Sequence, residues 1–314
     1  MWRGANALFG VLLLAALWVV IENIDAERRF ATLLTHAAPG WLLVAVGYQV
    51  STYVCAAGVW VRVLRRAGVP LSVRALIPLG LAKLFVDQVV PTAGVGGTLL
   101  VVHGLIRRGV PQGLATAALL MDLLSFYAAH GLAIVLALFI LWTSHHLPPA
   151  VLILATLFSA VATLVPLAIL WLTRRGDRTM PPWVRRLPGS ARLLEALAAV
   201  PADVVRDSTR LLQTTLLQCA IVALDAATLD ATLRAVGHPA RPAAVFASFT
   251  MASVVATLSL IPGGLGIFEA VSVVLLRLLD VPVEAGLAAT LLLRAATFWL
   301  PMLPGLWIVR REHP

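Results

Sequence analysis

Long apolar runs separated by short polar segments dominate the chain. A helix needs about 20 mostly apolar residues to cross the hydrocarbon core of a bilayer. The first run resembles the apolar core of a signal peptide, but no small-residue cleavage site follows it before Glu22, so we interpret it as a retained helix. Six runs predict membrane-spanning helices, at 4–21, 40–61, 113–142, 150–172, 211–233 and 285–309.

Two further apolar stretches, 74–108 and 241–279, contain proline and glycine near their middle. Proline removes an amide donor and glycine lowers helix propensity, so each stretch predicts two short helices joined by irregular backbone. At membrane depth such backbone must be buried in protein or line a wet cavity. We interpret each stretch as a re-entrant hairpin, the alternative being two kinked pairs of full crossings. The breaks contain Pro91, Gly94, Gly96 and Gly97 in the first stretch and Pro262, Gly263, Gly264 and Gly266 in the second.

The two interrupted stretches match each other at a fixed offset. Pro262 follows Pro91 by 171 positions, and Pro282 follows Pro111 by the same 171. Three predicted crossings separate the stretches, so the hairpins should open toward opposite faces as an inverted repeat. In transporters this pattern points to a binding site near the midplane. The free N–H groups of the broken helices would favour an anionic head group there.

Composition and charge agree with a membrane protein. The chain is 60% hydrophobic and only 12% charged, which excludes soluble globular and disordered classes. Its net charge of +9 comes from short arginine clusters between apolar runs, which argues for membrane topology and against nucleic-acid binding. With cytoplasmic N- and C-termini and hairpins that return to their starting side, the bias follows the positive-inside rule. The cytoplasmic side then receives Arg62, Arg65, Arg66, Arg74, Arg107, Arg108, Arg174, Arg175, Arg178, Arg185, Arg186, Arg192, Arg310 and Arg311, against Arg28, Arg29, Arg234 and Arg241 opposite.

Ionisable residues inside apolar runs are the candidate substrate contacts. Lys83 and Asp87 lie four positions apart on the first hairpin, either as part of a polar pocket or as a structural ion pair. Glu269 falls in the first turn after the second break, where it could cap amides, carry a proton or pair with Arg277 or Arg294. Arg294 lies well inside the last span and matches phosphate geometry.

Other polar residues give weaker signals. Asp122, Asp225 and Asp230 lie in apolar surroundings and are interpreted as structural hydrogen-bonding groups. The chain has no G-x-S-x-G, P-loop, dinucleotide or H-E-x-x-H pattern, so we expect no enzyme activity, no cofactor and no metal site. Without a P-loop this chain cannot drive transport with ATP by itself.

The residues around both breaks resemble the motifs of a known family. They are PTAGVGG at 91–97 with RRGVP at 107–111, and the more diagnostic IPGGLGIFE at 261–269. The sequence resembles the lysylphosphatidylglycerol synthase transmembrane region, a flippase-like membrane family. The resemblance implies one lipid-translocating domain over 1–314. It also implies a stand-alone form, because no aminoacyl-transferase domain follows Pro314.

Together these features predict an all-α polytopic integral membrane protein with about six spanning helices and two re-entrant hairpins. The leading hypothesis is translocation of a phospholipid-like or polyprenyl-linked envelope lipid across a bacterial cytoplasmic membrane. Lys83, Arg277 or Arg294 would contact its phosphate, while Asp87 and Glu269 balance charge. The partners would be membrane lipids with anionic or phosphate-containing head groups, and enzymes of lipid biosynthesis. Two alternatives stay open: an ion-coupled transporter of a small solute, and a non-transporting membrane subunit of envelope-lipid synthesis.

Overall fold

The fold is seen in a computed structural model. It describes residues 32–89, 95–143, 207–259, 262–302 and 304–305, with short helical pieces at 152–153, 156–161, 163–164 and 167. The predicted span 4–21 lies outside the described residues, as does most of the predicted span 150–172.

The described part of the chain is helical and contains no strand. Four of its helices are long and apolar enough to cross a membrane, namely α1, α4, α5 and α8 as defined below, with α8 counted through Met302. These observations confirm the all-α polytopic membrane class. The helices are α1 (Pro39–Arg66), α2 (Val73–Val89), α3 (Val95–Arg107), α4 (Gln112–Thr143), α5 (Ser208–Ala235), α6 (Pro242–Leu258), α7 (Ile267–Leu278) and α8 (Val283–Arg294), which continues through the π-helical turn Ala295–Trp299.

Local sequence explains several helix starts. Pro39 and Pro242 lie at the first turns of α1 and α6, where a missing N–H costs nothing because the helix has no partner for it. Asp207 caps α5, accepting hydrogen bonds from the backbone N–H groups of Thr209 and Arg210.

Both interrupted stretches form two consecutive helices that pack against each other, α2 with α3 and α6 with α7. We call them the first and second helix pairs. The second break lies where the sequence predicts it, with a 3-10 turn at Pro262–Gly264 followed by Gly266. The first break is shorter than expected, because α3 already begins at Val95 and includes Gly96 and Gly97. Helix propensity is a weak local preference that packing overrides. The re-entrant course of the two helix pairs through a bilayer stays a prediction.

The internal repeat is visible in helix lengths. Helices α1 and α5 both have 28 residues, and α2 and α6 both have 17. The start of α5 lies 169 positions after that of α1, and the start of α6 lies 169 after that of α2. The offset becomes 171 between α4 and α8, as the proline spacing predicts. The repeat thus covers both described halves, while its inversion across the membrane stays a prediction.

Each half buries its own apolar core. One core joins α1 to α4 around Trp60, Leu76, Leu105 and Met121. A second joins α5 to α8 around residues such as Leu229 and Leu276. A third cluster connects the halves through α4, α6 and α7. Helices α1 and α5, which are equivalent in the repeat, also pack extensively on each other. The space that remains between the halves forms the candidate site.

Candidate functional site

A cavity of about 950 Å³ lies between the two halves. Its wall draws on α1, α2 and α4 from the first half and on all four helices of the second, together with Gly263 and Gly264 at the break. Although the surrounding helices are apolar, the wall carries two cationic and two anionic side chains. Polar side chains buried inside apolar helices are costly and usually mark functional sites.

Equivalent positions of the repeat build much of this wall. Residues 169 positions apart in α1 and α5, or in α2 and α6, line the cavity together, as do residues 171 apart in α4 and α8. The cavity is therefore a product of the repeat and lies where the halves face each other. Eight such pairs are present: Gln49 and Gln218, Thr52 and Ile221, Ala56 and Asp225, Gly80 and Phe249, Leu84 and Ser253, Asp122 and Leu293, Phe126 and Thr297, and Tyr127 and Phe298.

The two equivalent glutamines each hold a carboxylate. Gln218 Nε2 donates to Asp122 Oδ1 at 2.7 Å, which joins α5 to α4. Gln49 Nε2 donates to Asp225 Oδ1 at 2.7 Å and to Thr228 Oγ1 at 3.2 Å, which joins α1 to α5. Such bonds to charged acceptors are among the stronger protein hydrogen bonds. They fix both carboxylates at the interface between the halves.

Lys83 introduces a positive charge into the wall of the first half. It lies on α2, lines the cavity and interacts electrostatically with Asp122. The indole of Trp60 approaches the same carboxylate from α1. The wall of the first half thus combines an ammonium, a carboxylate and an aromatic ring.

Arg294 supplies the second positive charge and is tied to the break of the second helix pair. Its Nε donates to Glu269 Oε1 at 2.7 Å, and its Nη2 donates to the Gly264 carbonyl at 3.3 Å. The guanidinium carbon lies 4.4 Å from the centre of the Phe268 ring, within cation–π distance. Only 13% of the Arg294 side chain and 14% of the Glu269 side chain are exposed. The guanidinium is therefore held in one orientation at the cavity wall.

Glu269 also organises the backbone of the break. Its Oε2 accepts a hydrogen bond of 2.7 Å from the Gly266 N–H at the start of α7, which is the half of a capping box that a glycine N-cap permits. Gly263 and Gly264 have φ angles of 63° and 61°, which side-chain-bearing residues rarely adopt. A Cβ atom at Gly263 would collide with the Phe298 ring, and one at Gly264 with Ala256. The glycines thus let the break approach α6 and α8 closely.

Comparison with known families gives a match over nearly the whole chain. The family described as Lysylphosphatidylglycerol synthase TM region matches residues 6–305. The chain belongs to this family. No curated protein matches the sequence. The resemblance found around the two breaks is therefore confirmed at the level of the family.

The structure brings some of the predicted site residues of this family member together and separates others. Lys83 and Arg294 line the cavity. Glu269 forms an ion pair with Arg294 but does not itself line the cavity. Glu269 both caps the break and pairs with Arg294, so two of its three predicted roles occur together. Arg277 lies in the last turn of α7, is exposed and does not line the cavity. Asp87 belongs to α2, but its side chain lies outside the part of the chain that the structure describes.

The break residues divide in the same way. Gly263 and Gly264 line the cavity, and Gly266 begins α7. The Pro262 backbone forms the 3-10 turn. In the first stretch, Pro91 and Gly94 fall outside the described residues.

Sequence reasoning missed the glutamines and understated the aspartates. Asp122 and Asp225 do accept hydrogen bonds, as predicted, but they also line the cavity. Gln49 and Gln218 were not singled out at all. The 169-residue offset could have found them, since both lie at the eleventh position of helices of equal length.

No group of three or more histidine, cysteine, aspartate or glutamate side chains is placed to hold a metal ion in the described part of the chain. The residues that line the cavity offer paired charges, amides, hydroxyls and aromatic rings.

Proposed function

We propose that the protein translocates a lipid with an anionic or phosphate-containing head group, as a multi-pass protein of the bacterial cytoplasmic membrane. The observation that carries the proposal is the charged cavity between the two halves of an otherwise apolar helical protein. A head group that leaves water must find polar partners, because burying it without them is costly. The cavity offers such partners at the interface of the repeat, and family membership is consistent with this role.

Arg294 is the proposed contact for the lipid phosphate. A guanidinium offers several N–H donors in a planar fork, which suits bidentate binding of phosphate oxygens. Glu269 occupies its Nε, and Nη2 makes only a long contact of 3.3 Å to the Gly264 carbonyl. Glu269 would keep the arginine charged and oriented while the cavity is empty of lipid. Lys83 and Asp122, in the wall that the first half contributes, would contact the remaining polar groups of the head.

The direct test is lipid movement in reconstituted vesicles. Proteoliposomes would contain phosphatidylethanolamine or phosphatidylglycerol with a nitrobenzoxadiazole label, and dithionite would bleach the outer leaflet alone. Lipid translocation makes the inner-leaflet label accessible, so the bleached fraction should rise beyond that of protein-free vesicles. Equal bleaching with and without protein, for both head groups, would refute the proposal.

A matched pair of arginine variants tests the assigned residue. Arg294→Gln combined with Glu269→Gln removes both charges together, which avoids leaving one buried charge unpaired. Arg277→Gln removes an exposed arginine of α7 that lies outside the cavity. The double variant should slow bleaching while Arg277→Gln leaves it unchanged. If both variants fold and their bleaching rates are equal, Arg294 does not contact the lipid.

A second candidate, ion-coupled transport of a small solute, is favoured by one observation. Asp122 and Asp225 are two carboxylates in one cavity, an arrangement that can bind or release a proton during transport. This candidate predicts acidification of a lumenal pH dye when an anionic solute is added outside, with no movement of labelled lipid. Movement of lipid without any imposed gradient favours the first candidate.

A further inference from the structure

A second, apolar cavity of about 270 Å³ opens beside the charged one. It lies between α1, α2 and the C-terminal part of α8. We call it the chain groove and define it by Val46, Val50, Ile77, Leu81, Ala296 and Leu300. Val50 is 55% exposed and Leu300 is 49% exposed, so the groove reaches the outer, apolar surface of the protein.

The chain groove and the charged cavity share a wall. Gln49 and Tyr53, both on α1, line both spaces. The Gln49 amide is turned toward Asp225 and Thr228 of α5, so its polar end belongs to the charged side. The neighbouring groove presents aliphatic side chains. Gln49 and Tyr53 of α1 thus separate the charged cavity from the apolar chain groove.

We propose that the chain groove holds an acyl chain of the glycerophospholipid whose head group occupies the charged cavity. This inference rests on the proposed function. Head group and chain are covalently joined, so a lipid in transit needs a polar and an apolar compartment side by side. Hydrocarbon chains are as apolar as leucine side chains, and the exposed Val50 and Leu300 would meet the bilayer interior. The groove therefore lets the chain stay in apolar surroundings while the head group is in the cavity.

Val50 and Val54 provide a matched test on one helix. They lie one turn apart on α1 and are both exposed, at 55% and 44%, but only Val50 lines the chain groove. Val50→Trp should obstruct the groove, whereas Val54→Trp adds the same ring outside it. Ala296→Phe and Ala295→Phe on α8 form a second pair, because Ala296 lines the groove and Ala295 does not. Two pairs keep the test valid if one groove variant fails to fold.

Binding is measured with a phosphatidylethanolamine that carries a diazirine on its acyl chain. After illumination of proteoliposomes, peptide mass spectrometry should place adducts within 46–50 and 296–300 in the wild-type protein. Adducts there should fall at least about tenfold in Val50→Trp and stay unchanged in Val54→Trp, because a misfit of a single methylene in a hydrophobic pocket is already worth about tenfold or more. Equal labelling of both variants overturns the inference. So does labelling confined to other helices, or labelling of the groove by a polyprenyl phosphate probe alone.

The two proposals fail in different ways. If the wild-type protein moves labelled lipid, and both groove variants move it as fast as their controls, the chain groove is wrong and translocation stands. If the wild-type protein moves no lipid, yet diazirine adducts appear in the groove and vanish in Val50→Trp, the groove binds a chain but translocation is wrong. A segment of this chain filling the groove would leave it without lipid adducts and would also overturn the inference.

Discussion

The two halves of the chain share a backbone plan but differ in chemistry. Helices α1 and α2 recur as α5 and α6 with identical lengths, and Gln49 recurs as Gln218. Each charged residue of the cavity wall, however, has an apolar residue at the equivalent position of the other half. These pairs are Lys83 with Ala252, Asp122 with Leu293, Asp225 with Ala56, and Arg294 with Leu123.

This difference separates the origin of the cavity from its specificity. The repeat creates the space, because equivalent helix faces meet at the interface of the halves. The charges fall at unequal positions, Lys83 and Asp122 in the first half and Asp225 and Arg294 in the second, so the wall is chemically asymmetric. Such asymmetry suits a ligand held in one orientation. Variants at matched positions of the two halves therefore measure how far the halves differ in stability and charge.

The largest loss of stability is expected at the second break, where Glu269 contacts Arg294 and Gly266. We call these contacts the clamp. Glu269 pairs with Arg294 and accepts the Gly266 N–H, whereas the residue 171 positions earlier, in α3, is Thr98. Glu269→Ala leaves a largely buried guanidinium without its partner. We expect a loss of about 3–5 kcal/mol in the free energy of unfolding, measured by denaturant titration in micelles.

Glu269→Gln serves as the control for that clamp. The amide oxygen can still accept the Gly266 N–H, while the charge is lost, so this variant should be destabilised less than Glu269→Ala. If Glu269→Ala unfolds at the same denaturant concentration as the wild-type protein, the clamp does not stabilise the break.

The second comparison concerns close approach within the two helix pairs. A Cβ at Gly264 would collide with Ala256 and would sit at a φ of 61°. A Cβ at Gly104 of α3 would meet only the flexible ends of Leu79 and Arg108. Gly264→Ala should therefore cost about 2–4 kcal/mol from strain and overpacking. Gly104→Ala should be nearly neutral, since alanine gains helix propensity.

The melting temperature of both variants in one detergent checks this contrast. Equal shifts would mean that the second break has no special backbone requirement.

Local features of this fold were predictable from sequence, and long-range pairings were not. The break at 262–266 followed from proline and glycine chemistry, and the predicted span 40–61 lies inside α1. The partner of Gln49 did not follow, because Asp225 lies 176 positions away and periodicity does not identify neighbouring helices. The sequence offered Glu269 two arginine partners, and the choice of Arg294 over Arg277 needed the packing of α7 on α8.

A smaller loss of stability is expected when either of the equivalent glutamines, Gln49 or Gln218, is replaced. Gln49→Leu removes donors from Asp225 and Thr228, whereas Gln218→Leu removes the donor from Asp122. An acceptor left without its partner typically costs about 1–3 kcal/mol. Gln49→Leu should be the more destabilising change because it affects two acceptors, and because Lys83 still interacts with Asp122. Denaturant titration of both variants measures the order, and the reverse order would contradict the assigned networks.

The smallest effect concerns how the two equivalent long helices begin. Helix α1 starts at Pro39 with no side-chain cap, whereas Asp207 caps α5 and also pairs with Arg66 of α1. The backbone N–H of Arg210, helped by the Arg66 guanidinium, holds the pKa of the Asp207 carboxyl below its usual value. A lowered folded-state pKa means that the stabilisation is complete above the unfolded pKa of about 3.9 and is lost as the pH falls through the folded value.

Asp207→Asn isolates this contribution. Asparagine can still cap the helix but carries no charge, so the stability difference between wild-type and variant protein should be constant near neutral pH and shrink in acid. The measurement is the difference in melting temperature at pH 7 and at about pH 3, where the unfolded carboxyl is largely protonated. A difference that stays the same at both pH values would show that α5 relies on the cap geometry alone. The two equivalent helices would then differ in capping but not in electrostatics.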